Sequence, residues 1–578
     1  MSPSTPATGQ DRSRSEKPGP EAAGSPISAL ADELVGLMFA ADPIWPALLG
    51  TDRAAEGLAD LGAEAGRRQR AALTGLADRA RAVDPETLDP PERVTRRVIL
   101  AQARAHVEGI DSRLTDFAVT DLFVSPAVAL LMMLPMITVT EPDEADAHLG
   151  RLAAIPVHLE QALERHRAGI ADGLLPVAHL VRAAIAHLDR YLADPDADPL
   201  LRQEAPDEEF ESERRGLLAT RVRPAFAAYR DALETEVLPH GRPAERPGIG
   251  WLPGGAEIYA SLARVHTTTD RTPAELHRTG LDIIERLGTE YAEIGRRVFG
   301  TGEQAEVFRR MRTDPELRWR DAEELLGAAR AAIGRAQDAA PVWFGAVPPQ
   351  PCVVEAVPAA EAPGGPPAYY MPPSADGAQP GVYFANTHEV TERFRHAAEA
   401  VAFHEAVPGH HFQLSLALEL AELPLLRRIS EFTAYSEGWG LYAERLADEM
   451  GLYSGDVARL GMLALDSMRA GRLVVDTGLH AHGWSRQQAV DFLLAHTPMP
   501  PVEIESEVDR YIAWPGQALA YMVGRLEIER IRARAAAALG ERFDLRAFHD
   551  LVLGGGALPL SVLDDIVTEW VRKGGASD

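Results

Sequence analysis

The sequence predicts a mainly α-helical protein that carries a small antiparallel β-sheet. Segments rich in Ala, Leu, Arg and Glu alternate with Pro and Gly along most of the 578 residues, as expected of helices joined by turns. The stretch from Cys352 to Thr387 breaks this pattern, because three short Val-, Tyr- and Phe-containing segments separated by Pro and Gly predict strands. No repeat of solenoid length is evident, so a solenoid is not expected.

The first 26 residues differ in composition from the rest of the chain. They are rich in Ser, Pro, Gly and charged residues and contain no apolar segment of the kind that a secretory signal requires. We therefore expect a disordered tail over 1–26. A helical N-terminal lobe is predicted over 27–245 and a metal-binding catalytic lobe over 246–575, and the two lobes are expected to form one integrated fold.

Composition and charge limit the partners that this chain can have. With 46% hydrophobic and 25% charged residues, it has the composition of a soluble globular protein. Its formal net charge of −28 would repel a nucleic acid unless the basic residues formed a separate face. The arginines instead alternate with acidic residues, so we expect no nucleic-acid partner.

The long uncharged segment from Leu122 to Thr140 raises the question of a membrane span. Pro126 and Pro135 interrupt it and acidic residues flank it, so a buried helix pair is predicted and no membrane partner is expected. The single cysteine, Cys352, leaves no intramolecular disulfide and fits a reducing cytoplasm. We therefore expect a cytoplasmic protein in which Cys352 packs without reacting.

The segment from His404 to Gln413 predicts a metal site. It reads His-Glu-Ala-Val-Pro-Gly-His-His-Phe-Gln, whereas zinc hydrolases commonly carry two histidines four residues apart on one helix, with a glutamate after the first. On an unbroken helix His410 would lie roughly 240° around the axis from His404. His411 would return to the same face but about 10.5 Å further along the axis, too far for Zn–N bonds of about 2 Å. A regular helix therefore fails for both pairs.

Pro408 and Gly409 offer a solution to this spacing. Proline removes a helical donor and clashes with the preceding turn, and glycine tolerates backbone angles that other residues avoid. Without these two residues the segment would read His-Glu-Ala-Val-His, which is the usual spacing. We therefore predict a break in the helix that brings His404 and His410 to a common face, with His411 as the alternative to His410.

A third ligand is expected from the next long helical segment, Ile429 to Met450. This segment offers four acidic candidates: Glu431, Glu437, Glu444 and Glu449. Glu437 is preferred because Ser and Gly residues surround it and would let two backbones approach closely. Two histidines and one glutamate leave a fourth zinc position open for water, as in catalytic zinc sites.

Together with this motif, several other blocks of the chain resemble one known family, domain of unknown function 885. This is a helical, zincin-like group of gluzincin type with distant similarity to angiotensin-converting enzyme and the thermostable carboxypeptidases. The blocks occur in order between Trp251 and Leu560. They are Tyr369-Tyr370, Pro373 to Gly377, Pro380 to Tyr383, His404 to Gln413, Tyr435 to Glu444, Arg472 with Asp476 to His480, and Trp514 to Tyr521. Many members look secreted or lipid-anchored, and the N-terminus of this chain departs from that pattern.

The resemblance implies a large helical zincin-like metallopeptidase fold, with the predicted sheet beside the metal helix. It also implies one zinc ion held by His404, a second histidine from His410 and His411, and Glu437. The reaction implied is hydrolysis of a peptide or related amide bond by metal-activated water, with Glu405 as the general base.

Further site residues follow from the needs of this reaction. The developing oxyanion needs a donor besides the metal, and Tyr521 is preferred over Tyr511 and His480. His480 is also a candidate for substrate binding. Arg472 could hold a substrate carboxylate with two hydrogen bonds, or it could neutralise Asp476 or another nearby acid.

Other functions stay open at the level of the sequence. The substrate could be a small peptide or an acylated small metabolite processed by a tailoring hydrolase. A catalytically inactive helical scaffold would have no use for a base such as Glu405, but two histidines and a carboxylate also suit iron. An extended peptide could add to an open strand edge of the sheet beside the metal, or the strands could simply cover the helical core.

Overall fold

The computed structural model describes residues 25–359, 362–363, 365–374 and 379–575. The predicted tail therefore lies outside the described residues as far as residue 24, and Ser25 caps the first helix. Ala375, Asp376 and Gly377 of the family-like blocks also lie outside them. The described residues are mainly helical with one small sheet, which confirms the predicted fold class.

Twenty-four α-helices lie in the described part of the chain. Those before residue 246 are α1 (Pro26–Ala41), α2 (Ile44–Leu48), α3 (Ala63–Ala82), α4 (Pro90–Ser112), α5 (Leu114–Phe117), α6 (Pro126–Met133), α7 (Pro142–Ala171), α8 (Ala178–Ala193), α9 (Glu208–Leu217) and α10 (Arg223–Ala232). Those after it are α11 (Gly255–Thr267), α12 (Pro273–Phe299), α13 (Gln304–Thr313), α14 (Ala322–Trp343), α15 (Ala398–Glu405), α16 (His410–Leu418), α17 (Leu425–Ile429), α18 (Thr433–Glu449), α19 (Asp456–His480), α20 (Arg486–His496), α21 (Pro501–Ala513), α22 (Ala520–Leu539), α23 (Leu545–Leu553) and α24 (Leu560–Arg572). The most extensive helix pairs are α12 with α19 and α18 with α22.

Local sequence signals set several helix starts. Thr272 accepts a hydrogen bond from the Glu275 backbone N–H, and the Glu275 side chain accepts one from the Thr272 backbone, with Pro273 as the first residue of α12. Asp89 and Glu92 form the same capping box at α4. Such reciprocal bonds satisfy backbone donors that a helix N-terminus leaves free, which is why short-range sequence rules locate these boundaries.

The predicted sheet is present, but its topology is mixed. Its strands are β1 (Cys352–Ala356), β2 (Ala368–Met371) and β3 (Gly381–Ala385), in the spatial order β1-β3-β2. β2 pairs antiparallel with β3, whereas β1 pairs parallel with it. The prediction of an antiparallel sheet is therefore wrong for β1. The chain between β1 and β2 is long enough to cross to the far side of β3, so β1 runs in the direction of β3 and not of its sequence neighbour.

Hydrophobic packing joins the N-terminal and C-terminal parts of the chain. Leu34 of α1, Leu76 of α3 and Val98 of α4 belong to the same buried cluster as Phe403 of α15 and Trp439 of α18. The division into lobes at residue 245 stays a prediction, but this shared core favours the integrated fold that was expected with it.

The segment from Leu122 to Thr140 forms α6 and a short 3-10 turn, Leu134–Met136. Leu130 and Leu134 are buried in a hydrophobic cluster with α7 and α8, whereas Met136 is 70% exposed. The expected helix pair is thus one short α-helix with one turn. Across the residues that the structure describes, none of the helices has both the length and the apolar character that crossing a bilayer demands.

Candidate metal centre

The helix carrying the histidines is broken where the sequence predicts. α15 ends at Glu405 and α16 begins at His410, with a cis Val407–Pro408 peptide bond between them. A Cβ on Gly409 would lie 1.8 Å from the His404 carbonyl oxygen, so only glycine permits this close turn. The Trp439 indole donates a hydrogen bond of 3.0 Å to the Pro408 carbonyl, which ties the break to α18.

The break brings three predicted ligands together. His404 Nε2 lies 3.3 Å from Glu437 Oε2, and His410 Nε2 lies 3.8 Å from the same oxygen. One ligand atom from each of these residues lies within 4.8 Å of the other two. In a tetrahedral zinc site with bonds of about 2 Å, ligand atoms are about 3.3 Å apart, so the three donors fit one zinc ion after small side-chain shifts.

Each histidine of this trio has its other ring nitrogen held by an acceptor. His404 Nδ1 lies 2.8 Å from Glu444 Oε1, and His410 Nδ1 lies 3.2 Å from Gln413 Oε1. Because both acceptors favour a proton on Nδ1, the two Nε2 lone pairs are left for a metal ion. The sequence offered Glu444 only as an alternative ligand and gave Gln413 no role. The sequence signal that could have identified Glu444 is its spacing, because it lies two helical turns after Glu437 on the same face of α18.

Small residues on α18 make room for the centre. A Cβ on Gly440 would lie 2.5 to 2.8 Å from atoms of the His404 ring. A Cβ on Gly438 would lie 2.5 Å from the Cα of Gly524 on α22. The expected close approach around Glu437 is therefore confirmed, and it serves both the imidazole of His404 and the packing of α18 on α22.

His411 lies outside the cluster. Its Nδ1 accepts a hydrogen bond of 2.7 Å from the Tyr370 hydroxyl, and its Nε2 donates one of 3.1 Å to the Gln350 carbonyl. Burial lowers the pKa of His411 to about 4. Both nitrogens are thus used by the sheet region, and the geometry favours His410 over His411 as the second ligand.

The charges of the cluster are strongly coupled. Burial alone would lower the pKa of His404, but hydrogen bonds to Glu437 and Glu444 raise it to about 10. Burial would raise the pKa of Glu437, but the two imidazoles hold it well below its usual range. The His404 side chain is 5% exposed and those of His410 and Glu437 are 15% and 25% exposed, so the centre opens to solvent on the side of His410 and Glu437.

Glu405, the predicted base, is half-buried at the end of α15. Within the described part of the chain its carboxylate has no hydrogen bond and no ion pair. Its negative charge adds to the effect of burial in raising the pKa of Tyr383 on β3. A carboxylate without a protein partner beside a metal ligand is free to hold a water molecule.

Tyr521 lies near the cluster on α22, beside Arg472. Burial raises the pKa of Tyr521, and the negative charge of Glu437 raises it further. The Arg472 guanidinium lies 4.5 Å from the centre of the Tyr521 ring. The charge of Glu437 therefore acts on the Tyr521 hydroxyl, and the role of Tyr521 as oxyanion donor stays a prediction.

Arg472 is neutralised by an acid other than Asp476. Its Nη2 lies 2.8 Å from Glu507 Oε2, and its Nε donates to the Tyr511 hydroxyl at 3.1 Å. Asp476 instead accepts from the Tyr259 hydroxyl at 2.5 Å and the Gly516 N–H at 3.1 Å. The prediction that Arg472 neutralises Asp476 is therefore wrong. The other prediction, that Arg472 neutralises a different nearby acid, is confirmed, and that acid is Glu507. The Nη1 group of Arg472 is buried without a partner among the described residues.

His480 and Tyr511 have structural partners away from the cluster. His480 is fully buried, with Nδ1 accepting from the Ile249 N–H at 3.1 Å and Nε2 donating to the Tyr511 carbonyl at 3.0 Å. The Tyr511 hydroxyl donates to Glu507 at 2.5 Å. The structure therefore corrects the expectation for His480, since no ring nitrogen is left for a substrate or an oxyanion.

Comparisons with known proteins identify relatives of unknown function. A family model described as "Bacterial protein of unknown function (DUF885)" matches residues 43–567. "The putative lipoprotein from Colwellia psychrerythraea" is similar in structure with 27% sequence identity and a TM-score of 0.85, covering 95% of this chain and 99% of its own. "A putative lipoprotein of unknown function from Shewanella oneidensis" shares the fold with 16% identity and a TM-score of 0.75, covering 94% of this chain and 100% of its own. No curated protein matches the chain.

Proposed function

Since this chain belongs to the DUF885 family of bacterial proteins, we propose that it is a zinc-dependent hydrolase of a peptide or related amide bond. One observation carries the proposal. Two imidazole Nε2 atoms and one carboxylate oxygen lie within 4.8 Å of one another, and the Nδ1 atoms of both imidazoles are held by Glu444 and Gln413. A zincin-like fold around this centre is part of the same proposal.

The residues present fit a catalytic metal ion. His404, His410 and Glu437 would hold it, and the fourth position of a tetrahedral site would be left for water or substrate. When bound, a zinc ion lowers the pKa of water toward neutrality and polarises a carbonyl oxygen.

Glu405 and Tyr521 would carry out the proton and charge steps. The unpaired carboxylate of Glu405 would accept a proton from the attacking water and pass it to the leaving nitrogen. The Tyr521 hydroxyl would donate a hydrogen bond to the carbonyl oxygen as negative charge develops there. Arg472, whose guanidinium lies against the Tyr521 ring, would hold that ring in place.

The proposal is tested by metal content and activity measured together. We expect protein purified without added metal to contain about one zinc ion per chain and to cleave members of a panel of short peptides and N-acyl amino acids. Glu405→Gln should keep the metal and lose about 10²- to 10⁴-fold in kcat, because it removes the base alone. The exposed Glu422→Gln is the matched control and should behave as wild type.

Two outcomes of this experiment would reject the assignment. Iron as the dominant metal would point to redox chemistry, and a Glu405→Gln protein with full activity would remove that residue as the base. Cytoplasmic location also stays part of the proposal, supported by the single cysteine, Cys352, which leaves no intramolecular disulfide. Cell fractionation checks it.

A further inference from the structure

A cavity opens at the N-terminal end of α18, the helix that also carries Glu437. Its volume is about 750 Å³, within the range of roughly 300–1,000 Å³ found for small-molecule sites. Glu431 and Thr433 line it, and Glu437 follows Thr433 after one turn of α18. Burial raises the pKa of Glu431, and the charge of Glu437 raises it further.

Besides Asp270, four titratable side chains that line the cavity make no side-chain hydrogen bond to the residues that the structure describes. They are His106, Arg264, His266 and Glu431. Burial lowers the pKa of His106, and it lowers that of His266 to about 4, so both imidazoles are neutral near pH 7. Among these four, the Nε of Arg264 is buried without a partner in the described part of the chain, whereas Glu431 is exposed to solvent; a buried polar group without a partner is unusual inside a protein.

Arg264 lacks an acceptor of its own. Its nearest carboxylate oxygen, Glu108 Oε1, is 3.7 Å away, beyond hydrogen-bond length, and already accepts from Arg104 Nε at 2.8 Å. The Nε of Arg264 is buried without a partner in the described part of the chain. A ligand carboxylate in the cavity would supply the missing acceptor, and a guanidinium is well shaped to bind one.

Glu431 has the opposite requirement. No arginine, lysine or histidine of the described residues forms an ion pair with its carboxylate, and the neighbouring Glu437 makes the region more negative. A ligand cation would relieve this repulsion. The cavity therefore has a carboxylate that could bind a cation, Glu431, just before α18, and a guanidinium that could bind an anion, Arg264, on α11.

We propose that the cavity binds a short peptide by both of its charged ends, with Glu431 taking the α-ammonium and Arg264 taking the α-carboxylate. The neutral imidazoles of His106 and His266 bind the backbone amides between the two ends. This inference rests on the proposed hydrolase and narrows its substrates to short peptides with free termini.

Binding is tested in the Glu405→Gln background, so that the peptide is not consumed. Isothermal titration compares trialanine with N-acetyl-trialanine and with trialanine amide. We expect trialanine to bind at least tenfold more tightly than either blocked peptide. Glu431→Gln should weaken the binding of trialanine tenfold or more and leave the affinity for N-acetyl-trialanine unchanged. Arg264→Gln should likewise weaken the binding of trialanine tenfold or more and leave the affinity for trialanine amide unchanged.

Matched variants separate a lost contact from a damaged fold. The same changes at exposed positions outside the cavity, Glu257→Gln and Arg221→Gln, should leave all three affinities unaltered. Arg264→Lys keeps the charge and should fall between wild type and Arg264→Gln. Thermal melts verify that each variant is folded.

Equal affinity for free and blocked peptides, or no binding of trialanine by folded protein at millimolar concentration, would overturn the inference. A protein that cleaves internal or end-blocked peptides with Glu405 as its base would do the same while leaving the proposed hydrolase intact. If the wild-type protein contained no zinc or hydrolysed none of the substrates, but still bound trialanine more tightly than the blocked peptides, the proposed hydrolase would be rejected. The assignment of the cavity as a peptide-binding site would stand.

Discussion

Glu444 holds the orientation of the His404 imidazole, which is a proposed metal ligand. Its carboxylate is fully buried, with Oε1 2.8 Å from His404 Nδ1 and Oε2 without a partner among the described residues. A buried carboxylate behind an imidazole fixes the tautomer, directs Nε2 at the metal and makes the ring a stronger ligand. Glu444, which the sequence offered as a candidate ligand, thus contacts the His404 imidazole on the side away from the proposed metal ion.

Replacing this acid should weaken the metal site without emptying it. For Glu444→Gln we expect zinc affinity to fall about 10- to 100-fold, measured by competition with a chelator. Glu449→Gln on the same helix, where the acid pairs with Arg532 at the surface, is the control. Equal affinities for the two variants would show that Glu444 does not support His404.

A single methyl group on α18 should displace His404. The Cβ of Gly440→Ala would meet the ring at 2.5 to 2.8 Å, closer than nonbonded atoms permit, so the imidazole must turn away from Glu437. We expect a folded protein that has lost most of its zinc, measured by elemental analysis. Gly327→Ala on α14, where a Cβ meets nothing within 4 Å, should keep its metal.

At the scale of elements, the break between α15 and α16 is held from outside. A short insertion would be free to take several conformations, but the Trp439 indole donates to the Pro408 carbonyl at 3.0 Å and packs within the main hydrophobic cluster. The geometry of the metal helix therefore depends on α18, which also supplies Glu437 and Glu444. Helix α18 therefore supplies the ligand Glu437 and also fixes the conformation of the break between the other two proposed ligands, His404 and His410.

Removing the indole donor should destabilise the protein and loosen the metal site together. Trp439→Phe keeps an aromatic ring but leaves a buried carbonyl unpaired, which costs about 1–3 kcal/mol in the free energy of unfolding. Urea unfolding and chelator competition measure the two effects. Trp45→Phe, at a residue that is 45% exposed, should change stability by less than about 0.5 kcal/mol; a similar loss in both variants would contradict the assigned role.

At the scale of the whole molecule, many imidazoles are buried as neutral groups. Outside the metal motif, burial lowers the pKa to about 4 at six positions: His148, His166, His266, His396, His480 and His549. Below pH 6.5 these imidazoles bind protons in the unfolded chain, whereas in the folded protein they stay neutral until the pH approaches 4. The free energy of unfolding therefore falls as the pH drops from about 6.5 toward 4, by up to about 1.4 kcal/mol per group and pH unit.

His148 offers a direct check on this acid sensitivity. Both of its ring nitrogens are buried without partners in the part of the chain that the structure describes. His148→Leu should reduce the loss of stability between pH 7 and pH 5 by about 1–2 kcal/mol, measured by urea unfolding at both values. The exposed His240→Leu should follow wild type, and an unchanged pH dependence in His148→Leu would show that this group titrates normally.

The sequence alone was sufficient for features that depend on neighbouring residues. The helical class, the strand segments and the helix break at Pro408 and Gly409 all follow from local backbone preferences. The preference for His410 and Glu437 came from the same kind of reasoning, because restoring a helical spacing and allowing close approach are local arguments.

Only the tertiary structure decided which distant residues meet. The parallel pairing of β1, Glu507 as the partner of Arg472, the burial of His480 and the position of Glu444 behind His404 join residues that are far apart in the chain. Residue patterns along one segment do not encode such contacts, since each depends on how helices and strands pack in three dimensions. The sequence could therefore predict the candidate ligands of the centre, while their orientation and the cavity at the start of α18 emerged only from the packing.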